Sequence, residues 1–276
     1  MFNPIVLLRE VEYVRPSSVD DAIRLLAANE GARALAGGQT LISVMKARAA
    51  SPDVLVDLGK LDELRAISVS GDTLELGAMA TYTQIMGSSE VDVSRPILAE
   101  VAAQIADVQV RNRGTIGGNV CSNDPTNHLP PLLVALGASM TIRGADGDRT
   151  VPAEEFFLGV YMTVVVEGEL LLSVSVPAAA NAEDGFASIT IGRDGTCIAN
   201  AAASLADGSL RIALGCVDSV PVLVTPGGSD AESIHAAVAA AGIEPPSDVH
   251  ASADYRRRLA AICAVRAVEQ AQARGR

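Results

Sequence analysis

Two glycine doublets are the residues whose type and spacing best suit chemistry in this chain. Residues 36–40 read AGGQT and residues 115–119 read TIGGN. Each doublet adjoins an apolar-periodic segment and has polar neighbours. A paired-glycine turn at a helix start points backbone N–H groups at whatever sits there, and with no Cβ in the way phosphate oxygens can come close. Two such turns admit two readings: ordinary tight turns, or two backbones that approach one ligand. Better-known phosphate and nucleophile motifs are absent. No GxG occurs anywhere, so the dinucleotide fingerprint GxGxxG is missing, as are GxxxxGK followed by Ser or Thr, and GxSxG.

Other reactive side chains form no recognisable constellation. Cys121, Cys197, Cys216 and Cys263 are scattered with no CxxC pair, which reads as reduced, partly buried thiols and not as a zinc or iron–sulfur loop. His128, His235 and His250 form no HExxH, so no metal site is expected. Asp124 and Glu167 lie near candidate loops and read as surface carboxylates. Tyr82, Tyr161 and Phe156 suit either a shield over a bound ring or the core. No Ser/His/Asp set and no carboxylate pair emerges, so no catalytic residue is assigned.

Composition bounds the partners. The chain has 276 residues, 49% of them hydrophobic, and a formal net charge of −12. At ~100–200 residues per domain, two domains are expected. The acidic balance argues against a nucleic-acid or anionic-membrane partner, because both want clustered Lys and Arg. The one basic run, Arg256–Arg258, reads as a solvated helix face. No stretch approaches the ~20 apolar residues of a membrane span. The N-terminal residues lack a charged n-region and a small-residue cleavage site, so a cytoplasmic protein is expected.

The elements that must hold the doublets follow from periodicity and punctuation. Ser18 caps a helix over VDDAIRLLAA with Val19, Ala22, Ile23 and Leu26 on one face, ended by Gly31. ARALA (32–36) reads as a strand that runs into the first doublet. LISVMKARAA restarts a helix until Ser51-Pro52, and VLVDL (54–58) is again a strand. This is a strand–glycine turn–helix corner. AISVS, Gly71-Asp72 and TLELGA predict a hairpin. A helix is predicted from about Arg95 to Ala106 with Ile97, Leu98, Val101 and Ile105 inward. After the second doublet come the polar turn SNDPTN and a short helix near 132–136. SMTIR, GADGD and RTVP predict a second hairpin, and 169–177 a strand. Beyond a linker-like PAAANAEDG (177–185) lie alternating segments at 186–191 and 197–205, then LRIALGCV and helices near 230–241 and 252–272.

The stretches ALAGGQTLISVMKARAASPDVLVDLGKLDEL and VQVRNRGTIGGNVCSNDPTNHLPPLLVALGA carry a further signal. Together they resemble the FAD-binding medium subunit of the molybdenum hydroxylases, of the carbon monoxide dehydrogenase and xanthine dehydrogenase type. The resemblance runs almost end to end, through VEYVRPSSVDDAIRLLA, RTVPAEEFFLGVYMTVVVEGELLLSVSVP and the last ~90 residues. It implies an α+β chain: a two-subdomain FAD-binding fold of the vanillyl-alcohol-oxidase-like (PCMH) type over 1–176, divided at about 58/59, and a C-terminal α+β domain over 186–276 with a small antiparallel sheet and helices.

The same resemblance implies that FAD lies between the two N-terminal subdomains with its diphosphate gripped by both loops. Ala36, Gly37, Gly38, Gln39 and Thr40 match the first motif, and Thr115, Ile116, Gly117, Gly118 and Asn119 the second. Ser122, Asn123 and Asp124 would face the cofactor. His128 stands where relatives often carry an Asp near the flavin, and Ser188 where many carry a Lys. Molybdopterin and 2Fe-2S clusters are implied on partners only: a large molybdopterin subunit and a small iron–sulfur subunit, in a dimer of heterotrimers. The flavin would relay single electrons to an external acceptor. Two alternatives remain open: a free-standing FAD oxidase or dehydrogenase, for which Cys121 or His128 would suit covalent flavin attachment, and a scaffold whose glycine turns are structural.

Overall fold

A computed structural model describes residues 8–179, 183–192, 195–206 and 208–275. Among the described residues three sheets follow one another, with a separate two-stranded ribbon placed in sequence before the last strand of the second. The first is parallel, with β1 (Glu12–Val14), β2 (Arg33–Leu35) and β3 (Val54–Asp57) in the order β1-β3-β2. Its crossover helices are α1 (Val19–Ala28) and α2 (Leu41–Lys46). Ser18 Oγ accepts the Asp21 N–H at 3.1 Å and starts α1, whose buried stripe is Val19, Ala22, Ile23 and Leu26. The stripe packs on Val54 and Val56 of β3, forming a small core of its own. α2 is shorter than its pattern predicts, because the chain turns at Arg48 with φ of 62°.

The second sheet is antiparallel. Its strands are β4 (Ile67–Ser70), β5 (Thr73–Gly77), β6 (Ser139–Gly144), β7 (Gly147–Pro152) and β10 (Leu170–Pro177), in the order β4-β5-β10-β6-β7. The hairpin at Gly71 has the positive φ, 57°, that its two-residue turn needs. Between β5 and β6 run six short helices: α3 (Tyr82–Met86), α4 (Ser89–Ser94), α5 (Ile97–Ala102), α6 (Val108–Arg113), α7 (Ile116–Ser122) and α8 (Leu129–Ala135). α9 (Ala153–Phe156) follows β7, then the ribbon β8 (Phe157–Gly159) and β9 (Met162–Thr163). The predicted helix over 95–106 is broken. Pro96 starts α5, and the chain leaves it before Ala106, where φ is 43°.

The third sheet is antiparallel in sequence order: β11 (Glu183–Thr190), β12 (Cys197–Ala206), β13 (Ser209–Gly215) and β14 (Val222–Val224). β11 begins at Glu183, inside the segment expected to be linker. α10 (Ala231–Ala240) and α11 (Ala253–Arg274) cover one face of this sheet. The other face presents Phe186, Ala202 and Ala213 to the core that includes α8. The basic run is not wholly solvated. Arg256 is buried, and its guanidinium donates to the Ile198 and Cys216 carbonyls at 2.8 and 3.1 Å, while Arg257 and Arg258 are exposed.

Candidate functional site

The carboxyl ends of β1, β3 and β2 open into a cleft of about 390 Å³. In parallel sheets such ends are where ligands collect, because loops leave the strands there with unpaired backbone. The first glycine doublet follows β2 and lines this cleft. Gly38 has φ of 74°, the left-handed conformation that favours glycine. Gly37 serves close approach instead: a Cβ there would lie 2.0 Å from the Arg113 carbonyl oxygen, just ahead of the second doublet. A Cβ on Gly118 would come within 3.7 Å of the Ala36 Cβ. The fold therefore sets the two doublets against each other, although they stand far apart in sequence.

The two doublets use their amides differently. Among the described residues, the N–H groups of Gly37, Gly38, Gln39 and Thr40 have no hydrogen-bond partner. Those of the second doublet are engaged within the protein. Ile116 N–H donates to Ala80 O at 3.0 Å, Gly117 N–H to Ala78 O at 2.8 Å and Asn119 N–H to Thr115 O at 3.0 Å. Gly118 N–H donates to Thr115 Oγ1 at 3.1 Å, the cap of α7. Gly117 is buried with its α-carbon on Ala78, where a Cβ would sit 2.6 Å from the carbonyl oxygen. Gly118 is exposed. The first loop offers free donors; the second offers a bare, firmly held backbone.

Charge at the cleft is opposite in sign to the chain as a whole. Lys46 and Arg113 line it, and neither has a hydrogen-bond or ion-pair partner among the described residues. Arg15 also lines it but is held: its Nε donates to Tyr13 Oη at 3.0 Å and to Asp57 Oδ2 at 3.1 Å, and its guanidinium lies 5.4 Å from the centre of the Tyr13 ring. Burial pushes the Asp57 carboxyl up, but hydrogen bonds from Tyr13, the Gly59 N–H and Arg15 outweigh it and hold the group below its ordinary value. Sequence reasoning missed Lys46 and Arg113. Their signals were modest: Arg113 directly precedes GTIGGN, and Lys46 ends the helix after AGGQT.

The polar turn after α7 is built as a unit. Asn123 has φ of 38°, and its Nδ2 donates to the Gly159 carbonyl at 2.7 Å. Its own carbonyl accepts the Tyr161 N–H at 3.1 Å, and the Tyr161 hydroxyl donates to Asp124 Oδ2 at 3.1 Å. Ser122 Oγ donates to Asn119 O at 2.8 Å. Tyr161 is thus an exposed ring beside the turn, whereas Tyr82 and Phe156 are buried in the core. Glu167 lies elsewhere, accepting the Gly31 N–H at 2.8 Å. Cys121 is half-buried, with burial pushing its thiol up to about 12, which disfavours it as a nucleophile. His128 is buried, with its ring centre 5.3 Å from that of Phe186, on the seam with the third sheet. Ser188 sits on β11 opposite Asn200.

Comparisons with known proteins agree over most of the chain. Residues 9–179 match the model of the FAD binding domain in molybdopterin dehydrogenase. The carbon monoxide dehydrogenase medium chain of Hydrogenophaga pseudoflava is 37% identical, over 95% of this chain and 97% of that one. The nicotine 6-hydroxylase medium subunit of Paenarthrobacter nicotinovorans is 32% identical, over 97% of this chain and 99% of that one. The fold matches a chain of the reconstituted CO dehydrogenase from Oligotropha carboxidovorans with a TM-score of 0.92 and 35% identity, covering 97% and 99% of the two chains. The α+β fold is accordingly of the PCMH type, and among the described residues no helix is long and apolar enough to cross a membrane. This chain belongs to the FAD-binding medium subunits of the molybdenum hydroxylases and is an oxidoreductase flavoprotein.

Proposed function

We propose that this chain is the FAD-carrying electron-transfer subunit of a heterotrimeric molybdenum hydroxylase in the cytoplasm. Substrate is oxidised at molybdenum in a large subunit, 2Fe-2S clusters of a small subunit deliver the electrons, and an external acceptor removes them. Two heterotrimers pair into a dimer. Residues 1–176 form the FAD-binding domain and 186–276 the C-terminal domain. Bound FAD supplies the capacity to take up and release electrons, which none of the side chains at the site possesses.

The single observation that carries this reading is the cleft. Four N–H groups, on Gly37, Gly38, Gln39 and Thr40, share it with the cations Lys46 and Arg113, all six without a partner among the described residues, in a chain of net charge −12. Such a donor set fits a diphosphate. Ala36 to Thr40 would hold the diphosphate from one side. Thr115, Ile116, Gly117, Gly118 and Asn119 would form the opposing wall, with Gly118 letting the ligand approach closely. Ser122, Asn123 and Asp124 would flank the cofactor, and His128 would stand behind its flavin end.

The test begins with acid precipitation, which should release one FAD per chain into the supernatant. Candidate substrates are then mixed anaerobically with the isolated flavoprotein and with the reconstituted complex, and the flavin band is followed. Bleaching is expected only in the complex. Rapid bleaching of the isolated chain by an organic substrate would overturn the relay and favour the free-standing oxidase. A colourless chain that takes up no FAD would overturn cofactor binding itself.

A further inference from the structure

Cys197 opens β12, and Cys216 follows the end of β13. Both are buried, at 2% and 4% exposure. Two irregularities of the backbone aim their sulfurs at the same place. Along β12, Ile189 pairs with Ala199 but Thr190 pairs with Cys197, so Ile198 is an extra, bulged residue. Side chains alternate along a strand, and one extra residue turns Cys197 onto the face that carries Asn200. Cys216 has φ of 64°, a left-handed backbone that non-glycine residues seldom adopt. It follows Gly215, the ladder partner of Asn200. Gly215 also makes room, since a Cβ there would lie 2.3 Å from Asn200 Oδ1.

The result is two thiols on one amide. Asn200 Nδ2 lies 3.5 Å from Cys197 Sγ and 3.3 Å from Cys216 Sγ. The same nitrogen donates to the Asn127 carbonyl at 3.3 Å, and Asn127 Nδ2 donates to the Asn119 carbonyl at 3.1 Å. Asn200 thus ties the third sheet, through Asn127, to the helix that carries the second glycine doublet. A hydrogen bond from Cys216 holds the Cys197 thiol well below its ordinary range against burial, aided by His128 and Asn200. Burial and the neighbouring Cys197 push Cys216 up. Cys197 Sγ also donates to the Ala199 carbonyl at 3.4 Å, so its proton must leave that carbonyl before the sulfur can attack. Cys263 comes from α11 to the same Ala199 carbonyl, at 3.7 Å, but does not share the Asn200 amide.

We propose that Cys197 and Cys216 form a redox-active dithiol, closed to an intramolecular disulfide by a peroxide and reopened by a thiol reductant. Cys197 gives up its proton and its sulfur attacks one oxygen of hydrogen peroxide; the O–O bond breaks, the leaving hydroxide takes up that proton as water, and Cys197 becomes a sulfenic acid. Cys216 sulfur then attacks Cys197 sulfur; the S–O bond breaks, the S–S bond forms, and a second water leaves with the Cys216 proton. The thiols together lose two electrons, and the peroxide gains them. Closure takes both sulfurs from the Asn200 amide, so the oxidised state is felt at Asn127 and, through it, at α7.

The test treats the purified full chain with hydrogen peroxide, removes the peroxide, unfolds the chain in denaturant, alkylates the remaining thiols, digests with trypsin and weighs the peptides. Arg143, Arg193, Arg211, Arg256 and Arg258 place each of the four cysteines in a separate peptide. The expected result is near-complete loss of alkylation at Cys197 and Cys216, a linked peptide lighter by two hydrogens than its halves, and full recovery with a dithiol reductant. In Cys216→Ser, dimedone should trap a sulfenic acid at Cys197; in Cys197→Ser, neither product should form. Unchanged alkylation of all four thiols overturns the proposal, as does a Cys197–Cys263 link or overoxidation of Cys197 with Cys216 still free. The readout is on sulfur alone, so its failure would leave the FAD reading untouched.

Discussion

Lys46 and Arg113 are cations at a cleft with no partner among the described residues, and their removal should therefore cost binding and little else. A charge-assisted hydrogen bond to a phosphate is worth about 1.5–3 kcal/mol, and solvent exposure brings the expectation down to about 1 kcal/mol. Lys46→Ala and Arg113→Ala should each weaken FAD binding roughly five- to tenfold at low salt, with the loss shrinking as salt rises. Fluorescence titration of the apoprotein measures this, and thermal melting should show an unchanged fold. Wild-type affinity in the double variant would exclude both cations from the diphosphate. The doublets themselves were legible in the sequence because a glycine pair at a helix start has a stereochemical meaning. Their division of labour was not: that Gly117 spends its N–H on Ala78, while the N–H groups of Gly37 to Thr40 stay free, depends on which backbone the fold brings alongside.

Elements made by local chemistry could be read in advance. α1 has its Ser18 cap, its apolar stripe and Gly31 after it, and the Gly71 hairpin has its turn residues. Elements made by tertiary contact could not. α7 places two glycines in its first turn, a poor helix sequence, and survives because Thr115 caps it and Ala78 and Ala80 anchor its N–H groups. Thr115→Val keeps the size of the side chain, removes the cap and leaves the Gly118 N–H unmet. It should cost about 1 kcal/mol, or roughly 2–3 °C in Tm. A variant as stable as the parent would mean that water or ligand replaces the cap. At the other end of the chain Asp248 anchors the start of α11. Hydrogen bonds from the Ala251 and His250 N–H groups, then from Arg256, lower its carboxyl from 3.8 to about 2. A lowered carboxyl gives stability that is present above its unfolded pKa and is lost as pH falls through the folded one. Acid unfolding followed by circular dichroism should therefore show an extra loss between about pH 4 and about 2, absent in Asp248→Asn.

At the scale of the whole molecule the third sheet is fastened to the FAD-binding part by charges as well as by apolar surface. Arg274 pairs with Glu100 and Arg211 with Glu154 nearer the surface. The deepest pair is Arg95 Nε to Asp184 Oδ2 at 3.1 Å, with side chains 3% and 2% exposed. Arg95 Nη2 donates to Ser204 Oγ at 3.2 Å, yet neither Arg95 Nε nor Asp184 Oδ1 has a hydrogen-bond partner among the described residues. Burial accordingly wins over the guanidinium: it pushes the Asp184 carboxyl up, and it lowers Arg95. Removing one partner of such a pair strands the other charge, at a cost of about 3–5 kcal/mol, whereas replacing both by apolar groups is often neutral. Arg95→Met should thus destabilise strongly, and the double variant Arg95→Met/Asp184→Val should recover most of the loss in urea unfolding. The pH dependence gives the sign. Without Arg95 the Asp184 carboxyl rises further, and a carboxyl raised in the folded state contributes stability at low pH that is lost as pH rises through its folded value. The penalty of Arg95→Met should therefore shrink from about pH 7 towards about pH 4, because protonation removes the stranded charge. A penalty that does not change with pH would instead mean that Arg95 holds the seam by the packing of its stem.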